Sequence, residues 1–151
     1  MALKDDIALL SRVPLFSDLN DEQLRLIAFG AEKRRVPAGQ TLFRQGAPAD
    51  CAYVVASGSF TLSLHTHGRD TRIGQAATAS LLGEMAMISI CERKFTAVAA
   101  ETSDVIRVTR PLFSRMLEEY PTLAETMRGR VAANLRRLIA ELEMLAPRLK
   151  G

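Results

Sequence analysis

The hydrophobic period of this chain changes twice. Between Asn20 and Gly30 apolar residues recur at Leu24, Ile27, Ala28 and on to Ala31, the one-sided stripe of an amphipathic helix. Asn20 with Gln23 three residues later reads as its capping-box start. A shorter helix is expected over residues 5–10, broken at Val13-Pro14 because proline is excluded from a helix interior. From Ala31 the pattern shortens to strands divided by Gly and Pro. Strands are expected at 32–36, 41–43, 52–56, 60–65, 71–74, 95–100 and 105–109, with turns at Pro37-Ala38-Gly39, Ser57-Gly58-Ser59 and His67-Gly68-Arg69-Asp70 and a loop over 45–50. Phe60, Leu62 and Leu64 alternate with polar residues, a half-buried strand, whereas 52–56 is apolar throughout and reads as buried on both faces. The helical period then returns over 111–119, and from Pro121 to about Ala146, with a stop at Pro147.

Many short strands with helices only at the ends predict a mainly β fold with flanking α. A jelly roll or barrel of β-strands, in the first case a jelly-roll β-barrel, is expected, with N-terminal helices (1–30), a barrel core (31–109) and two C-terminal helices (110–151), all in one structural domain. The 151 residues suffice for one domain with a core. A composition 48% hydrophobic and 25% charged excludes a disordered chain. The net charge of +3 permits an anionic ligand without pointing to nucleic acid. Cys51 and Cys91 have no metal-ligand spacing and form no disulfide framework. With neither a signal-peptide pattern nor a run long enough to span a membrane, a cytoplasmic location is expected.

One stretch carries candidate chemistry. Leu82-Gly83-Glu84-Met85-Ala86-Met87-Ile88 is an apolar run, a glycine and an acid opening one short helical turn, and Arg93 follows nine residues after Glu84. Gly83 allows close backbone approach, and Glu84 offers acceptor oxygens for hydroxyl donors. The Met85 and Ala86 amides, at a helix start, favour an anion. Arg93 supplies a fork that matches phosphate. A ligand with adjacent hydroxyl and phosphate groups satisfies all four.

Gly-Glu-Met-Ala-x-Ile, then Arg93, then Thr96, resembles the phosphate-binding cassette of cyclic nucleotide-binding domains, and the resemblance extends from about Val13 to the last helix. It implies a Crp/Fnr-like or kinase- and channel-type sensor with cAMP as ligand, cGMP less favoured, and no further cofactor. Glu84 then takes the ribose 2′-OH and Arg93 the cyclic phosphate. Alignment on Pro121 places Asn134 and Leu138 of the C-terminal helix nearest the nucleotide, with Ile73 and Gly74 facing the base from the barrel. The chain departs from the family pattern at Gln45 (usually Glu), Ala79-Ser80 (usually Gly-Asp), Glu92 (usually Pro), and Lys94 and Phe95 (usually small). The last two replacements put affinity in doubt more than fold.

Other readings are weaker. His65-x-His67 invites comparison with metal-binding cupins, but no third His and no suitably placed Glu follow, so solvent-facing histidines are expected and no metal site. No nucleophile–base set supports an enzyme. Arg128, Arg130, Arg136 and Arg137 beside Glu125, Glu141 and Glu143 read as a solvated face. Val131, Leu135, Leu138, Leu142 and Leu145 form a seam of about two heptads. It packs on the barrel or joins a homodimer. The function expected is a cyclic nucleotide sensor that switches its C-terminal helix. The alternatives are the sensor half of a Crp/Fnr-type regulator, or a nucleotide-free interaction module. Lacking a helix-turn-helix, the chain is expected not to bind DNA directly; the output partner is open.

Overall fold

The computed structural model describes residues 3–149, with side chains described for residues 4–140. Helix α1 (Leu3–Ser11) leads through a 3-10 turn at Pro14–Phe16 to α2 (Asp21–Gly30). Both halves of the expected capping box are present on α2: Asn20 accepts from the Gln23 amide, and the Gln23 side chain accepts from the Asn20 amide, each at 2.9 Å. The strands are β1 (Glu32–Val36), β2 (Thr41–Phe43), β3 (Pro48–Ala49), β4 (Cys51–Ser57), β5 (Phe60–Thr66), β6 (Arg69–Ala76), β7 (Leu81–Leu82), β8 (Cys91–Glu92), β9 (Thr96–Ala99) and β10 (Ser103–Thr109). A second 3-10 turn (Glu84–Met87) lies between β7 and β8, and α3 (Arg110–Glu119) and α4 (Pro121–Leu149) follow.

All strand pairs are antiparallel, in sheets ordered β1-β10-β4-β7 and β2-β9-β5-β6 with a separate β3-β8 ribbon, a jelly-roll barrel. Strand β4 shows why an uninterrupted apolar run was needed. Cys51, Tyr53 and Val55 point into the barrel with Phe60, Phe43 and Phe95. Ala52 and Val54 point the other way, into a second core with Leu10, Phe16, Ile27, Phe113, Met116 and Met127 from the helices. Val105 and Ile106 of β10 divide between the same two cores. One sheet therefore has no wet face over this part, and the helices at both ends of the chain are held to the barrel by the outer core.

Three expectations are corrected. The turn near His67 is tighter than four residues: His67 and Gly68 both have positive φ (54° and 78°), which suits a two-residue hairpin, so β6 begins at Arg69. His65 faces Asp70 across that hairpin, Nδ1 to Oδ1 2.7 Å. The two-residue strands β3, β7 and β8 carry no period of their own and arise from pairing alone. The α4 backbone continues past Pro147 to Leu149; a proline costs a helix one donor and crowds the preceding turn, which bends a helix without obliging it to end.

Candidate ligand-binding site

Gly83 caps the Glu84–Met87 turn in the left-handed region, φ 77°. A Cβ built there would lie 2.3 Å from Nη1 of Arg93. The glycine is therefore required twice, for the backbone conformation and for the guanidinium packed against it. Arg93 leaves the β3-β8 ribbon, its amide donating to the Ala47 carbonyl and its carbonyl accepting from the Gly46 amide, both 2.8 Å. Its side chain then turns into the barrel and is only 6% exposed. The guanidinium carbon lies 4.4 Å from the Phe43 ring centroid and 5.6 Å from that of Tyr53. Nη2 donates to Cys51 Sγ at 3.4 Å, whereas Nη1 is buried without a partner. Among the described residues no carboxylate pairs with this cation. A buried guanidinium with an unused donor is costly unless an anion completes it.

A cavity of about 230 Å³ opens on this group, lined by Gly83, Glu84, Met85, Ala86, Arg93, Lys94 and Phe95 together with Leu135 and Leu138 of α4. Lys94 is exposed, whereas Phe95 is buried against Phe43, ring centroids 5.5 Å apart. Of the two amides expected to be free, Ala86 donates to the Gly83 carbonyl at 3.1 Å, because a 3-10 turn closes one residue earlier than an α-helix. Of that pair, Met85 is the amide not used in closing the turn.

Leu138 lines the cavity, and Asn134 donates Nδ2 to Glu84 Oε2 at 2.9 Å, with Arg137 donating to its Oδ1. Ile73 packs on the barrel core, and Gly74 sits opposite Leu62; neither lines the cavity. Val131 is fully buried, and Leu135 and Leu138 turn toward the barrel, so the described half of the α4 seam is used within the chain. Leu142 and Leu145 lie outside the residues with described side chains. Arg130 is more than a solvated charge: it pairs with Asp18 and donates to Ser17 Oγ at 3.0 Å, tying α4 to the N-terminal segment.

Burial raises the Glu84 carboxyl above its ordinary value, opposed by the Asn134 hydrogen bond and the Arg137 charge. The folded protein thus holds this proton more readily than the unfolded chain. Keeping Glu84 ionised costs stability at neutral pH, and the cost is relieved as pH falls through the raised value toward the unfolded one. Glu84→Gln is therefore expected to melt higher than wild type at pH 7, with the difference fading below the ordinary carboxylate range. Parallel thermal melts of the two proteins across pH 4–7 check the sign.

A jelly roll holding a glycine-opened turn, an acid and a buried arginine defines a domain class that sequence comparison identifies independently. The cyclic nucleotide-binding domain family matches residues 33–120, and the chain belongs to that family. It is 33% identical over 142 residues, 94% of its length, to an uncharacterized NTE family protein of Mycobacterium tuberculosis, of which this covers 24%. It is 29% identical over 134 residues to the cyclic AMP receptor protein of Thermus thermophilus, covering 88% of this chain and 62% of that protein. The chain thus spans about a quarter of the mycobacterial relative and less than two thirds of the Thermus one. Among solved structures, a cyclic nucleotide-binding-like protein of Brucella abortus is 44% identical with a TM-score of 0.69, covering 76% of this chain and 98% of that one. The fold is also that of the cAMP-bound regulatory domain of Toxoplasma gondii PKA, TM-score 0.74 at 21% identity over 83% of this chain and 48% of that one. Among the described residues no helix is long and apolar enough to cross a membrane.

Proposed function

We propose that this domain is a cAMP sensor without catalysis of its own, in which ligand binding repositions α4. The observation that carries the reading is the buried Arg93 guanidinium, whose free Nη1 lies against the Gly83 turn and a cavity lined by Glu84. The cyclic phosphate fits Arg93 and the Met85 amide, and the ribose hydroxyl fits Glu84. The cavity adjoins a wider cleft of about 880 Å³ that shares Leu81, Glu84 and Leu138 with it. Leu135 and Leu138 help to enclose it, and Asn134 occupies a Glu84 oxygen. A ribose hydroxyl that takes the Glu84 oxygen displaces Asn134 and so repositions α4, and that displacement is the signal. A dimer through the α4 seam competes with the packing of Val131, Leu135 and Leu138 on the barrel, so self-association is expected to follow the same displacement.

The match to a small part of the lysophospholipase nte1 of Aspergillus oryzae, beside that to the NTE family protein, favours a second reading of the output, a regulatory module of a larger enzyme. It leaves the ligand chemistry of this domain unchanged.

Calorimetric titration with cAMP and cGMP tests the reading. Lys94, exposed and without an acceptor, gives guanine no side-chain hydroxyl. One hydrogen bond contributes about 0.5–1.5 kcal/mol net, so cAMP is expected to be favoured by no more than about tenfold. Lys94→Thr is expected to raise cGMP affinity more than cAMP affinity. Absence of binding by either nucleotide would overturn the sensor; a strong cGMP preference would overturn the assignment of base.

A further inference from the structure

The two walls of the site belong to separate pieces of chain. Glu84 stands on the 3-10 turn after β7, and Arg93 leaves the β3-β8 ribbon. Both pieces are short: the turn has four residues and each ribbon strand has two. A side chain outside both joins them. Arg110, first residue of α3, donates Nε to the Ala86 carbonyl at 3.0 Å and Nη2 to the Ala49 carbonyl at 2.8 Å. Its own amide donates to the Asp50 carbonyl at 3.0 Å.

We propose that Arg110 is a positioning residue that sets the distance between the hydroxyl-binding wall at Glu84 and the anion-binding wall at Arg93. The inference rests on the reading of these two residues as ligand groups. A guanidinium is a planar fork with nitrogens in fixed relation, so two carbonyls bound to it are held at a fixed separation. A lysine ammonium is a single point on a flexible stem and carries the charge without that constraint. Arg110 also joins the last strand to the C-terminal helices, so a shift of either wall reaches α3 directly.

The test compares Arg110→Lys with wild type for cAMP and for 2′-deoxy-cAMP. A ligand that grips both walls depends on their spacing; one lacking the hydroxyl depends mainly on the Arg93 wall. Arg110→Lys is expected to lose about tenfold or more for cAMP and clearly less for 2′-deoxy-cAMP. Amide exchange in the ligand-free variant is expected to rise at residues 46–50 and 84–88 above the rest of the barrel. Equal losses for the two ligands, or no loss, would overturn the proposal. If wild type binds neither nucleotide, the sensor reading fails on its own, and unchanged exchange at 84–88 overturns the positioning role separately. Arg110→Gln serves as second variant, and failure of both to fold overturns the proposal in favour of a purely structural arginine.

Discussion

Replacing Arg93 by methionine is expected to remove cAMP binding and to make the ligand-free protein more stable. The two effects have one cause. The guanidinium is 6% exposed, Nη1 has no partner, and its described neighbours are two aromatic rings and a thiol. Desolvating a cation costs several kcal/mol even after relaxation. Against this stand two cation–π contacts, each about 2 kcal/mol or more when desolvated, and one weak bond to sulfur, which offset only part of the loss because Nη1 stays unpaired. Methionine fills a similar space beside Phe43 and Tyr53 without the charge. An anion reverses the balance, because truncating one partner of a buried charge pair costs about 2–5 kcal/mol, or roughly 30-fold to several-thousand-fold in affinity. Calorimetry and thermal melts of Arg93→Met and Arg93→Ala read both quantities. Unchanged affinity would place the anion elsewhere, and a lower melting temperature for Arg93→Met would show that the ring contacts outweigh the burial.

Gly83→Ala is expected to injure the same site from the backbone side. At φ 77° a side chain meets the steric cost of the left-handed region, about 1–2 kcal/mol. The added methyl would also stand 2.3 Å from Arg93 Nη1, far inside contact distance. That nitrogen ends a flexible side chain, so it moves rather than the backbone. Moving it takes the guanidinium out of register with the turn that shares the ligand. Loss of about 1–2 kcal/mol in stability is expected together with at least tenfold loss in cAMP affinity. Denaturant melts and titration separate the two, and wild-type affinity in Gly83→Ala would show that Arg93 binds no anion at this turn.

The sequence by itself determined the elements with a strong period or explicit punctuation. Asn20 and Gln23 marked the start of α2, and the unbroken apolar run in β4 announced a strand buried on both faces. The Gly-Glu turn and the spaced Arg93 announced the family and its candidate site, because residue type and spacing alone limit which donors and acceptors can meet. Tertiary structure decided what depends on partners distant in the chain. Strands β3, β7 and β8 are two residues long and exist through their pairing. Asn134 reaches Glu84 across 50 residues, and Arg110 reaches Ala49 across 61. No local pattern announces such contacts, since an asparagine or arginine on a helix looks the same whether it meets water or a carbonyl. The same holds for the α4 seam: Leu135 and Leu138 have the spacing of a dimer interface, and in the fold they line the cavity beside Arg93. Apolar burial is non-directional, so spacing fixes which residues seek cover and only the folded surface fixes what covers them.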